Sequence, residues 1–151
     1  METSFVSACV TDRKDAGSVY RREKSLDWWA FQAQRHEVLV SNEVIAELSE
    51  PGYRQRELAL KFIEELEVLD VSPPALGLAR LLIKERVMPG PLKGDAVHVA
   101  ICAILGIEYL LSWNVRHLAN PNKVVHLRQI CEREGVVAPQ ILTPESLWEQ
   151  Q

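Results

Sequence analysis

Short apolar runs of β-type residues alternate with longer runs of helical periodicity along the whole chain, and this alternation leaves few architectures open. Residues 37–41, 67–71, 109–113 and 140–143 read as strands, rich in Val, Ile, Leu and aromatic side chains. A first long helix carries Trp28, Trp29 and Phe31, a short second one is marked by Val44, Ile45 and Leu48, and a third by Leu58, Phe62, Ile63 and Leu66. A fourth opens at Ser72-Pro73-Pro74 and carries Leu76, Ala79, Leu82 and Ile83; a fifth runs from 96 to 105 and stops at Gly106. The sixth carries Val124, Leu127, Ile130 and Cys131 and stops at Gly135. Helices between buried strands return the chain by right-handed crossovers, which predicts an α/β fold, a three-layer α/β/α sandwich with a mainly parallel central sheet. At 151 residues the chain forms a single domain, 1–151, able to bury roughly 70% of the surface its unfolded form exposes.

Charge and cysteine usage narrow the function classes. A formal charge of −4 argues against broad nonspecific binding to nucleic acid, which relies on many Lys and Arg contacts to phosphate. Arg13, Lys14, Arg21, Arg22 and Lys24 do concentrate positive charge in the first third, a run read chiefly as a solvated helix face. Cys9, Cys102 and Cys131 are an odd number at no metal-ligand spacing, so three reduced thiols are expected. A zinc site from His98, Cys102 and His117 lacks the paired signature such sites carry and is set aside. The longest apolar run, 97 to 107, is too short to span a membrane, and residues 5–10 are too short and too interrupted for a signal core. A cytoplasmic location is the expectation.

Four polar segments punctuate this frame: Glu2-Thr3-Ser4, Glu47 within Val44-Ile45-Ala46-Glu47-Leu48, Asp95 within Gly94-Asp95-Ala96-Val97-His98, and Asn114 after Leu111-Ser112-Trp113. In open parallel sheets ligands bind outside the carboxyl ends of the strands. Asn114 follows a strand, Glu47 lies in the helix after a strand, and Asp95 opens a helix that starts on the same edge, so the three share one rim. Three carboxylates and an amide oxygen are the ligand set of a hard divalent cation such as Mg²⁺ or Mn²⁺, which points to a metal-dependent hydrolase.

Each residue also has a plainer reading. Asp95 suits the first turn of a helix, and Asn120 suits an N-cap before Pro121. His98, beside Val99 and Cys102, reads as a core histidine, and Glu43, Glu47 and Glu50 share a helix face on which only one need point inward. Trp28 and Trp29 read as core or dimer-interface anchors.

Taken together and in order, the segments resemble the PIN domain, in particular the toxin-like branch related to VapC ribonucleases. The resemblance covers nearly the whole chain and is most specific in Lys93-Gly94-Asp95-Ala96-Val97-His98-Val99-Ala100 and in 109–120. It implies a metal-dependent endoribonuclease that takes RNA as substrate, is paired with an antitoxin protein and forms a homodimer. It further implies that Glu2, Glu47, Asp95 and Asn114 hold Mg²⁺ or Mn²⁺, with Ser4 and Ser112 as supporting residues. A PIN-fold protein that acts by binding nucleic acid or a protein partner without cleaving is the alternative. The chain departs from the family in three ways: Glu2 stands for the usual Asp, Asn114 for the usual Asp, and only Met1 precedes Glu2 where the family has its first strand. The expectation is a first strand that is missing, through a start downstream of the natural one, or shortened to residues 3–6.

Overall fold

The computed structural model describes residues 1–118 and 120–148, with the side chains of Arg116 and His117 outside the description. The part considered for His117 in a zinc site therefore lies outside the described residues. The chain runs α1 (Thr3–Val10), α2 (Ala16–Phe31), β1 (Leu39–Ser41), α3 (Asn42–Leu48), α4 (Arg56–Phe62) and β2 (Glu67–Leu69). It continues through α5 (Pro73–Lys84), α6 (Asp95–Leu105), β3 (Tyr109–Leu111), α7 (Val115–Leu118), α8 (Pro121–Arg133) and β4 (Gln140–Leu142).

The helix boundaries follow local chemistry. Ser41 Oγ accepts from Val44 N, Ser72 Oγ from Ala75 N and Asn120 Oδ1 from Asn122 N, each satisfying a first-turn donor that the helix itself cannot. At the other end of α6, Gly106 takes a left-handed conformation with φ 67°, which costs a residue without Cβ nothing. The fourfold alternation of strand and helix is thus present, with every strand shorter than its apolar run. Past β3, Ser112 N still donates to Leu142 O at 2.9 Å, and the pairing then ends because the next N–H groups turn to side chains: Trp113 N donates to Ser4 Oγ and Asn114 N to Ser112 Oγ, both at 2.8 Å.

The sheet is split. β1 pairs parallel with β2 through Leu39–Glu67, Val40–Val68 and Ser41–Leu69, and β3 pairs parallel with β4 through Tyr109–Gln140, Leu110–Ile141 and Leu111–Leu142. Between β1 and β3 lies a cavity of about 520 Å³, bordered by residues 37–41 and 107–111 and floored by His98, Ile101 and Cys102 of α6. Met1 and Glu2 close its carboxyl end: the Met1 amine donates to Leu39 O at 2.8 Å, and Glu2 N donates to Leu111 O at 3.2 Å. The fold is α/β, with short parallel strands paired in two two-stranded sheets.

Residues 3–6 are not a shortened strand. They open α1, because Glu2, itself extended (φ −113°, ψ 179°), caps the helix by accepting from Ser4 N at 2.9 Å. Phe5, Val6, Ala8 and Cys9 are all buried, so the β-branched and aromatic character that suggests a strand here serves packing on two sides of a helix. Trp28 is core and not an interface anchor: it is 2% exposed, meets Phe5 edge-on at 5.6 Å, and donates from Nε1 to Leu147 O at 2.7 Å. Trp29 packs against Phe62 with ring centroids 4.7 Å apart, leaving Phe31, at 60% exposure, as the outward member of the trio.

Candidate active site

The four polar segments meet at the carboxyl ends of β1 and β3. β1 leads through Ser41 into α3, whose one face carries Glu43 and Glu47. The chain then returns to this edge at Gly94, where φ 61° and ψ −128° turn it sharply into α6. A Cβ on Gly94 would stand 3.4 Å from Glu47 Oε2, and Glu43 Oε1 accepts from Gly94 N at 2.5 Å, so the absent side chain lets α3 lie close against the start of α6. Asp95 follows immediately. Asn114, from the end of β3, donates through Nδ2 to both Asp95 oxygens at 3.0 Å. The expected approach of these two residues across nineteen positions of sequence is therefore a direct hydrogen bond.

Glu2 and Glu47 belong to the same cluster through their neighbours. Thr3 Oγ1 donates to Glu47 Oε1 at 2.5 Å, and Ser4 Oγ donates to Glu2 Oε1. The Ser4 hydroxyl also accepts from Trp113 N and lies 3.5 Å from Ser112 Oγ, which in turn holds Asn114 N. Ser4 and Ser112 thus tie α1 to the end of β3. Glu2 is 3% exposed and Ser112 fully buried, so this part of the cluster is sheltered from water.

Sequence reasoning missed the partner of Glu47. His98 Nε2 lies 2.6 Å from Glu47 Oε1, with 2% of the histidine side chain exposed. Burial alone would drive the imidazole toward its neutral form. The Glu47 hydrogen bond and the negative charges of Glu2, Glu47 and Glu43 outweigh it and raise His98 above its ordinary value. The carboxyl of Glu47 is raised by its own burial but lowered further by His98, Thr3 and Lys93, so it stays ionised. The two form an ion pair on the floor of the site. Asp95 and His98 at i, i+3 on one helix face were the available signal, but the partner lies fifty-one residues earlier. Glu43, read as solvated, is likewise bound into the cluster through Gly94.

The donor set is all oxygen apart from His98, whose Nε2 is engaged by Glu47, and oxygen donors are the chemistry of a hard cation. Among the described residues no three His, Cys, Asp or Glu side chains form a ready ligand cage. A cation of the Mg²⁺ type, which keeps several of its waters and uses one or two carboxylates, fits such a set in kind.

Comparison with protein-family models, curated proteins and solved structures returned no match.

Proposed function

We propose that the chain is a metal-dependent endoribonuclease of the PIN type, hydrolysing phosphodiester bonds in RNA at the cluster of Glu2, Glu47, Asp95 and Asn114. The observation that carries this reading is the bond between Asp95 and Asn114 at the strand edge, with two further carboxylates held beside them by Thr3, Ser4 and His98. Unrelated surface acids do not share a network of hydroxyls anchored on a fully buried serine, Ser112. Glu2, Glu47, Asp95 and Asn114 would hold a Mg²⁺ or Mn²⁺ ion directly or through its waters, and the ion would supply the charge that polarises the scissile phosphate and acidifies the attacking water.

The protein's own groups do the rest. Asp95, at the first turn of α6, faces the incoming phosphate edge of the site, and Asn114 presents an amide that orients water there. His98 keeps Glu47 ionised and fixed in one rotamer, so that preorganisation precedes substrate binding. Ser4 and Ser112 hold Glu2 and Asn114 in register. A homodimer and a protein antitoxin are further proposals that rest on the PIN resemblance; with Trp28 in the core, a dimer face must be built from Phe31 and its exposed neighbours.

The test is Asp95→Asn, assayed for cleavage of a labelled RNA with Mn²⁺ and for thermal midpoint. Loss of cleavage by a hundredfold or more at an unchanged midpoint supports the reading, and parental cleavage by the variant refutes it. The alternative, an RNA- or protein-binding PIN fold without turnover, draws on the fact that each acid already has an internal partner. An unaltered chain that binds RNA yet fails to cleave it with either metal would establish that alternative.

A further inference from the structure

Beside the acidic cluster the surface changes sign. A groove of about 550 Å³ is bordered by Ser4, Thr11, Arg13, Arg21, Tyr53 and Arg54, joining the loop after α1, the start of α2 and the turn before α4. Asp12 also lines it and pairs with Arg54 at 2.8 Å, while Arg13 and Arg21 form no ion pair with a described residue. Three guanidinium groups thus face one carboxylate, in a chain whose net charge is −4.

The groove connects to the site and to an aromatic platform. Ser4 lines it and at the same time holds Glu2 and the Trp113 N–H. Trp113, the residue before Asn114, is fixed by an Nε1 hydrogen bond to Ser25 Oγ at 2.8 Å. The Arg21 guanidinium lies over its ring at 5.9 Å, and Tyr20, 44% exposed, meets it edge-on at 6.3 Å. Lys24 Nζ stands 5.9 Å from the Tyr20 ring. Rings interleaved with cations beside a positively charged groove are what an unpaired polynucleotide binds, its phosphates to the charges and its bases to the rings.

We infer that this groove is the path by which single-stranded RNA enters the site, with phosphates on Arg13, Arg21 and Arg54 and a base on the Tyr20 face of the Tyr20–Trp113 platform. The inference rests on the nuclease reading for the identity of the strand, and adds to it the route and the requirement for unpaired bases. A duplex offers the same phosphates but keeps its base faces stacked internally, so it gains nothing from the platform.

The experiment measures binding without turnover. Anisotropy of a fluorescently labelled single-stranded oligoribonucleotide is followed in EDTA over a salt series, for the unaltered chain, for the combined Arg13→Ala, Arg21→Ala and Arg54→Ala variant, and for Tyr20→Ala. Removing three phosphate contacts is expected to weaken binding at least tenfold and to flatten the log–log salt slope by about two, at about 0.7 per contact for a single strand. Tyr20→Ala is expected to weaken binding about tenfold with the slope unchanged, as loss of one stacked base does. The same strand annealed to its complement, and poly-glutamate, should bind at least tenfold more weakly than the single strand. Equal affinity and slope in the triple variant, equal binding of duplex or poly-glutamate, or no binding of RNA by the unaltered chain overturns the path. Groove-dependent binding without Mn²⁺-dependent cleavage overturns the nuclease reading alone, and cleavage with groove-independent binding overturns the path alone.

Discussion

The slot between β1 and β3 yields a quantitative prediction. β1 and β3 flank a cavity of about 520 Å³ without pairing to each other, and among the described residues Met1 and Glu2 between them bond to both strands. Joining about five residues of alternating Val, Ile and Tyr to the amino side of Met1, a typical strand length, gives those edges a parallel strand. The bond from Met1 N to Leu39 O is kept, now as an amide. Ordering five residues costs roughly 5–10 kcal/mol at 1–2 per residue. Burying five apolar side chains returns roughly 8–15 kcal/mol at 1.5–3 each, and each ladder hydrogen bond adds about 0.5–1.5 kcal/mol. The net is a gain of a few kcal/mol, which for a domain of this size raises the thermal midpoint by on the order of 10 °C. The assay is a comparison of three chains by circular dichroism: unextended, extended with the apolar segment, and extended by the same number of Gly and Ser residues. Equal midpoints in all three would refute the reasoning that these edges take a strand.

Other outcomes follow from the site. His98 has a raised value and Glu47 a lowered one, so the stability their pairing gives is full above the ordinary 4.5 of the carboxyl and below the ordinary 6.5 of the imidazole. It fades as pH falls through the lowered Glu47 value and as pH rises through the raised His98 value. In EDTA, His98→Gln should therefore lower the midpoint most in mildly acidic buffer and hardly at all in strongly alkaline buffer, and a penalty that is constant with pH would contradict the ion pair. Asn114→Asp adds a carboxylate beside Asp95, so it should destabilise the metal-free protein yet increase its Mn²⁺ affinity about tenfold by calorimetry; weaker Mn²⁺ binding would count against Asn114 as a ligand position. Burial holds the Cys9 thiol up to about 12 and Cys102 up to about 11, and it raises Cys131 as well. All three should resist a disulfide-exchange reagent at neutral pH until the protein is unfolded, a result that prompt labelling of the native chain would overturn.

Elements whose signals are local could be read from the chain. Ser72-Pro73-Pro74 and Asn120-Pro121 mark helix starts in their own chemistry, Gly106 and Gly135 mark ends, and the four apolar runs contain the four strands. The shared edge of Glu47, Asp95 and Asn114 followed from strand polarity alone. What could not be read depends on partners distant in sequence. Residues 3–6 are β-type by composition, and the carboxylate of Glu2 decides for helix. Trp28 is internal because Phe5, His36 and Leu147 surround it. His98 was correctly read as buried, but a buried imidazole is core or functional according to what it touches, and Glu47 reaches it only through the close approach that Gly94 permits.

The Ser4 hydroxyl, described above as a support, has a consequence for cooperativity. It donates to Glu2, at the end of the segment bonded to β1, and accepts from Trp113, at the end of β3. That oxygen therefore adds to the Met1 and Glu2 backbone bonds in coupling the two strand pairs across the cavity. Loosening either pair must disturb the acids, and an intact cluster of acids reports that both pairs are in place. The arrangement of acids at this edge therefore depends on the completeness of the fold beneath it, so partly unfolded chains are expected to lose it.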